Sequence, residues 1–168
     1  MGTTLSWNTS SPRLTMEVQL YSPAEVKELL SNMDIIKRFP MICYEKDESN
    51  IEGKTPEEIM DDAKTMEYNG EWMVFTSMNV IIGLACADVE EKTTRNLHLY
   101  EFEVATDAQG NGFSNTMLDY VFKYARQHEC QYITLMAFDD DARSYWEHQG
   151  FTLSPHSTEQ LKLLFKKL

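Results

Sequence analysis

The chain has 168 residues, 42% of them hydrophobic, which suits one domain with a single core, and no apolar run is long enough to span a membrane. A formal charge of −12 argues against a nucleic-acid partner, because a phosphate backbone would be repelled. It favours a cationic one, such as an amine, a polyamine, an aminoglycoside or a basic protein tail, unless the acidity serves solubility alone.

Residues 1–14, rich in Ser and Thr, are expected to be a disordered tail, which leaves 15–168 as the folded domain. Leu14 to Tyr21 alternates and predicts a first strand. Ser22-Pro23-Ala24-Glu25 is a capping box with proline at the first helical position, followed by Val26, Leu29, Leu30 and Met33 at helical spacing. Residues 40–54 read as an irregular polar loop. Thr55-Pro56-Glu57-Glu58 repeats the capping signature and opens a second helix to about Glu67, before a turn at Asn69-Gly70.

Two strands, Glu71 to Met78 and Val80 to Val89, are joined by a tight turn at Asn79. The charged stretch Glu90 to Arg95 is a hairpin loop leading into a strand from Leu97 to Val104. A helix from Phe113 to His128 turns Met117, Leu118, Val121, Phe122 and Ala125 toward the core. A strand from Tyr132 to Phe138, an acid-started helix over 140–149 closed by Gly150, and strands near Phe151–Ser154 and Leu161–Leu168 complete the chain. The order is β-α-α-β-β-β-α-β-α-β-β, and propensity alone predicts an α/β or α+β chain with a mixed sheet. Cys43, Cys86 and Cys130 have no metal-ligand spacing and are read as reduced thiols in a soluble, cytoplasmic protein. His128, His148 and His156 lack ligand spacing too, so no metal site is expected.

The stretch from Val104 to Ser114 carries the most chemistry. A strand runs through Ala105, Thr106, Asp107 and Ala108 into Gln109-Gly110-Asn111-Gly112, and a helix opens at Phe113. Free N–H groups at a helix start, aided by the helix dipole, make an anion site. Gly110 and Gly112 let backbone approach a ligand closely. No Lys or Arg lies in the turn, so a phosphate would be held mostly by main chain.

Two segments together resemble the GNAT superfamily of acyl-CoA-dependent N-acyltransferases. Gln109, Gly112 and Ser114 match its Gln/Arg-x-x-Gly-x-Gly/Ala motif, with Ser in place of the small residue. Asp139, Ala142, Tyr145, Trp146, Gly150 and Phe151 stand where the family has Asn-x-x-Ala, aromatic residues and Gly-Phe. Tyr145-Trp146-Glu147-His148-Gln149-Gly150-Phe151 is most similar to histone-type members. The resemblance covers about residues 97–153 and implies the GNAT fold, whose central strands splay apart to admit a pantetheine arm.

It also implies site residues. Gly110, Asn111, Gly112, Phe113 and Ser114 would cradle the pyrophosphate of acetyl-CoA by backbone N–H, next to Gln109. Val104 and Thr106 on one strand and Ala137 on the other would meet the pantetheine arm through their backbone. His98, eleven positions before Gln109, stands where several members carry a Glu or His general base. Strand parity puts His98, Tyr100, Phe102 and Val104 on one face and Glu101 and Glu103 on the other, where they are alternative bases if a bulge shifts the register and solvated carboxylates otherwise. Trp146 occupies the family's usual tyrosine acid position, and indole is no acid. Tyr145 is then the acid or the thiolate leaves unaided, and both aromatics are otherwise packing residues lining the cofactor cleft. Glu57, Glu58, Asp61 and Asp62, with Glu45, Asp47 and Glu48, form either an amine-attracting rim or a solvated acidic face.

The expectation is an N-acetyltransferase, EC 2.3.1 in type, that moves acetyl from acetyl-CoA to a small cationic amine or a protein lysine or N-terminus by direct attack in a ternary complex. It would be a monomer or homodimer without a nucleic-acid or membrane partner. One rival is a GNAT domain that binds acyl-CoA with little turnover and acts as a regulatory or interaction module. The other is an unrelated phosphate- or nucleotide-binding α/β domain.

Overall fold

The structure, a computed structural model, describes residues 5–8, 15–43, 53–59, 69–90, 95–159 and 162–168. Its strands are β1 (Leu5–Asn8), β2 (Thr15–Tyr21), β3 (Glu71–Ser77), β4 (Val80–Glu90), β5 (Asn96–Val104), β6 (Tyr132–Ala137), β7 (Thr152–Leu153) and β8 (Lys162–Lys167). Its helices are α1 (Pro23–Leu29), α2 (Met33–Arg38), α3 (Pro40–Cys43), α4 (56–59), α5 (Phe113–Gln127) and α6 (Asp140–His148), with a 3-10 turn at Thr106–Ala108. Among the described residues no helix is long and apolar enough to cross a membrane.

Both capping boxes form. Ser22 Oγ accepts the Glu25 N–H at 3.3 Å, and the Glu25 carboxylate accepts the Ser22 N–H at 2.7 Å. Thr55 and Glu58 repeat the exchange at 3.2 and 2.8 Å. The helix drawn through Val26, Leu30 and Met33 breaks, however. Ser31 Oγ donates back to the Lys27 carbonyl at 2.8 Å, and Asn32 caps a new helix by accepting the Asp34 N–H at 2.9 Å. These side chains offer the backbone an alternative to the helical ladder. Pro40 then ends α2 and starts α3, inside the stretch expected to be loop. The expected helical continuation to Glu67 lies outside the described residues.

The chain divides into two compact units, one made of Met1–Cys86 and Glu101–Met117, the other of Ala87–Tyr100 and Leu118–Leu168. In the first, the strand order is β1-β2-β3-β4-β5, with α1 packed on β2 and β3. Leu5–Asn8, inside the stretch expected to be disordered, pairs antiparallel with Thr15–Val18. Trp72, Met73, Val74 and Phe75 are all buried, so β3 is covered on both faces. Met78 and Asn79 turn the β3–β4 hairpin with φ of +51° and +64°, the left-handed pair that two-residue hairpins require.

In the second unit the order is β4-β5-β6-β8-β7, with α6 on β6. Strands β5 and β6 pair in parallel from Asn96↔Tyr132 to Leu99↔Leu135. The pairing ends there although both strands continue, which is where the central strands are expected to part. Every second residue of β6, Ile133, Leu135 and Ala137, is buried, as are Leu118, Val121 and Ala125 of α5.

Candidate active site

Strand β5 delivers the chain into the glycine turn with its own bracing. Ala105 N–H donates to the Ile82 carbonyl at 2.9 Å, and Arg38 holds Asp107 through Nε at 2.9 Å while Nη2 donates to the Ile81 carbonyl at 2.7 Å. Gln109 Nε2 folds back on the Val104 carbonyl at 3.4 Å, and Asn111 Nδ2 donates to the Ala108 carbonyl at 3.1 Å. The side chains of Gln109 and Asn111 therefore brace the loop. Gly110 and Gly112 adopt φ of +79° and +77°, in the left-handed region. A Cβ at Gly110 would meet nothing within 4 Å, so the space before the turn is open.

Helix α5 begins at Phe113, which is buried, with Ser114 half-buried beside it. The N–H groups of Gly112, Phe113 and Ser114 have no acceptor among the described residues. Behind the turn, Gly83 on β4 gives Met117 its place: a Cβ there would overlap Met117 Sδ and Cε. Val104, Thr106 and the whole cradle through Ser114 belong to the first unit, whereas His98, Ala137, Tyr145 and Trp146 belong to the second.

The alternation expected on β5 is present. Leu97, Leu99 and Glu103 are buried, His98, Phe102 and Val104 half-buried, and Tyr100 exposed. The expectation of solvated carboxylates on the second face is overturned, because that face is the packed one. Glu101 is half-buried and Glu103 is only 5% exposed. The Glu103 carboxylate accepts the N–H groups of Met41 at 3.0 Å and Ile42 at 2.9 Å. Burial pushes its pKa up to about 7, against the pull of those two donors. Cys43, next along α3, has its thiol pushed up to about 12 by burial and by the charges of Glu103 and Glu101, so it is an inert thiol. Cys43, Cys86 and Cys130 are all free.

His98 Nδ1 lies 2.7 Å from Thr134 Oγ1, and the imidazole meets the Tyr100 ring edge-on at 4.6 Å. Burial lowers the His98 pKa, and Glu90 and Asp88 act in the opposite sense to a lesser extent. The shift favours the neutral ring. Ala137 is buried at the end of β6.

Helix α6 starts with the Asp139 carboxylate accepting the Ala142 N–H at 2.7 Å. It ends in a Schellman motif: Gly150 N–H donates to Glu147 and Phe151 N–H to Trp146, at 3.0 and 3.1 Å. Trp146 packs edge-on against Phe151 at 5.3 Å and Tyr145 at 5.0 Å. The Tyr145 hydroxyl oxygen is buried. Of the acidic rim, Glu57 and Glu58 are described, both exposed, with Glu58 engaged in its capping box. No group of three metal-ligating side chains occurs among the described residues.

The profile of the acetyltransferase (GNAT) family matches residues 35–151. The chain belongs to the GNAT acetyltransferase family. No curated protein sequence matches it significantly. Its fold is the GNAT fold, shared with solved structures at low identity. A GNAT acetyltransferase from Listeria monocytogenes superposes with a TM-score of 0.65 at 14% identity, covering 95% of this chain and 99% of that one. An acetyltransferase from Thermus thermophilus gives 0.64 at 16% identity, over 92% and 98%. The PaiA N-acetyltransferase of Thermoplasma acidophilum, solved in complex with coenzyme A, gives 0.63 at 13% identity, over 92% and 100%.

Proposed function

We propose that this GNAT chain is an N-acetyltransferase that transfers acetyl from acetyl-CoA to a primary amine, by direct attack in a ternary complex. The observation that carries the proposal is the cradle. Two glycines at φ of +79° and +77° precede a 15-residue helix, and the N–H groups of Gly112, Phe113 and Ser114 lack acceptors among the described residues. Such donors fit a pyrophosphate without help from Lys or Arg. Acetyl-CoA, when bound, supplies the activated thioester.

The chain's own contribution is to hold the two reactants together, which makes a bimolecular step nearly unimolecular. A lysine-like amine, with a pKa of about 10.4, must also shed a proton before it attacks. The net charge of −12 draws cationic amines to the surface, in keeping with a small cationic amine or a protein lysine or N-terminus as acceptor. His98 is the candidate base, and the burial that lowers its pKa favours the neutral, proton-accepting ring. Tyr145 is the candidate acid for the departing thiolate, and its hydroxyl is enclosed by protein.

Titration calorimetry with acetyl-CoA, CoA and ATP tests the proposal, followed by thiol release across a panel of amines. Binding of acetyl-CoA with release in the presence of an amine is the expected result. A folded sample that binds neither CoA species overturns it. A second reading, a CoA-binding module with little turnover, draws on Trp146, which fills the usual acid position and is locked between Tyr145 and Phe151. Tight binding without release for any amine would favour that reading.

A further inference from the structure

Between Val104 and Ser114 the chain carries one charged side chain, Asp107, and its charge is negative. That carboxylate lies in the 3-10 turn Thr106–Ala108, five positions before Gly112, whose N–H is the first of the three without acceptors among the described residues. Five residues span about 18 Å at full stretch. This segment is not stretched, because Asn111 Nδ2 reaches back to the Ala108 carbonyl at 3.1 Å. The Asp107 side chain is 63% exposed, so its charge acts through solvent on whatever the turn holds. Screening sets the reach of that charge: the Debye length is about 30 Å at 0.01 M salt and about 3 Å at 1 M. In dilute buffer an anion on the cradle therefore feels Asp107, on top of a net chain charge of −12.

Arg38 answers that charge from 69 positions away. It is the last residue of α2, and its Nε meets both Asp107 oxygens, at 2.9 and 3.0 Å. Its Nη2 donates to the Ile81 carbonyl at 2.7 Å, and the neighbouring Ile82 carbonyl accepts the Ala105 N–H at 2.9 Å. The guanidinium is thus seated between the start of β4 and the root of the turn, with its side chain only 20% exposed. Arg143 and Glu147, by contrast, are four apart on one helix, where such pairs form without tertiary help. Arg38, Ile81, Asp107 and the cradle all belong to the first unit.

An ion pair with so exposed an acid adds little to the stability of the fold. Its effect on a bound anion is larger. One unit of charge about 10 Å from the two negative charges of a pyrophosphate changes its affinity about threefold in dilute buffer.

We propose that Arg38 is a positioning residue of the cofactor site, which holds Asp107 and cancels its charge so that the cradle meets the pyrophosphate of acetyl-CoA without local repulsion. The proposal rests on the acetyl-CoA reading above. Arg38 acts through Asp107 and not by contact with the ligand, and it brings positive charge to a turn that has no Lys or Arg of its own.

Calorimetric titration with acetyl-CoA tests this, with urea midpoints showing that each variant is folded. In about 0.01 M salt, Arg38→Gln should bind about threefold more weakly and Asp107→Asn about threefold more tightly. The double variant, with both charges gone, should return to the wild-type affinity. Arg38→Lys, which keeps the charge and loses the planar fork, should keep most of it. In about 1 M salt the differences should vanish. If Arg38 were only a brace, Asp107→Asn would bind more weakly, and the double variant would stay weak. If it were a direct phosphate ligand, the double variant would be as weak as Arg38→Gln. Either result overturns the proposal, and if Arg38→Gln does not fold, the sign of the Asp107→Asn effect decides. Equal affinities throughout overturn the proposal alone. A folded wild type that binds neither acetyl-CoA nor CoA overturns the acetyl-CoA reading and the proposal with it.

Discussion

Glu103 on β5 and Ile42 on α3 are joined through a buried carboxylate, whose Oε2 accepts the Ile42 N–H at 2.9 Å while Oε1 accepts that of Met41 at 3.0 Å. Helix α3 has only four residues and opens with Pro40, so these first-turn amides have no helical partner of their own. Burial raises the Glu103 pKa from 4.5 to about 7. Between those values the folded chain keeps a proton that the unfolded chain releases, so stability falls as pH rises through the window. The full cost is reached above the folded pKa and is on the order of 3 kcal/mol, at about 1.4 kcal/mol per unit. Urea unfolding of the wild type and Glu103→Gln across this interval should show their stability difference drifting against the wild type. A difference that stays constant with pH would remove the raised pKa from the account.

Gly150 closes α6 at φ +88°, where an L side chain costs about 1–2 kcal/mol. A Cβ there would also come within 2.9 Å of Lys166 Nζ, which donates to the Gln149 carbonyl at 2.7 Å and sits 4.7 Å from the centre of the Phe122 ring. Gly150→Ala should therefore lower stability by about 1–2 kcal/mol or more, read by denaturant midpoint. Adding Lys166→Ala should recover the steric part and leave the backbone part. An unchanged midpoint in the single variant would mean that the helix ends differently.

What could be foreseen divides by range. The capping boxes at Ser22 and Thr55, the Asp139 cap and the glycine after α6 each rest on chemistry within a few residues, and all four formed. The break after Leu30 was local too. Ser31 and Asn32 were its signal, masked by apolar spacing that ran across them. The burial of Glu103 was not legible, because it depends on the amides of Met41 and Ile42, sixty-odd positions away in the chain. Its sharing of a strand face with Leu97 and Leu99 was the available hint.

The candidate site divides in the same way. Gly110 and Gly112 could be picked out as turn glycines that let backbone approach a ligand, and both adopt left-handed backbone. That Gln109 and Asn111 turn their side chains back onto the loop could not, since either could equally have faced a ligand. The contact of His98 with Thr134 depends on the parallel register His98↔Thr134, which no local pattern specifies.

Gly83 is the counterpart of Met117, whose thioether occupies the space of the missing side chain. Valine at this position must push Met117 aside or shift the start of α5, and overpacking of this kind costs about 1–3 kcal/mol. Gly83→Val should therefore lose stability, and Met117→Ala in the same chain should return part of it, giving a non-additive double-mutant cycle. Additive effects would show that the two positions are not in contact.

Gly112, at φ +77°, is the position at which the cradle itself can be tested. Gly112→Ala forces an L residue into the left-handed region at the first of the three N–H groups without acceptors among the described residues. Any Gly→Ala change at positive φ strains the fold, so a matched control is needed. Gly53 supplies it, with φ +80°, an exposed site and nothing within 4 Å of an added Cβ. Both variants should lose similar stability, about 1–2 kcal/mol. Acetyl-CoA affinity should fall about tenfold or more in Gly112→Ala, equivalent to about 1.4 kcal/mol, and stay at the wild-type value in Gly53→Ala. Calorimetric titration separates the outcomes: parallel losses in the two variants would attribute the effect to global strain, and full affinity in Gly112→Ala would mean that the phosphates bind elsewhere.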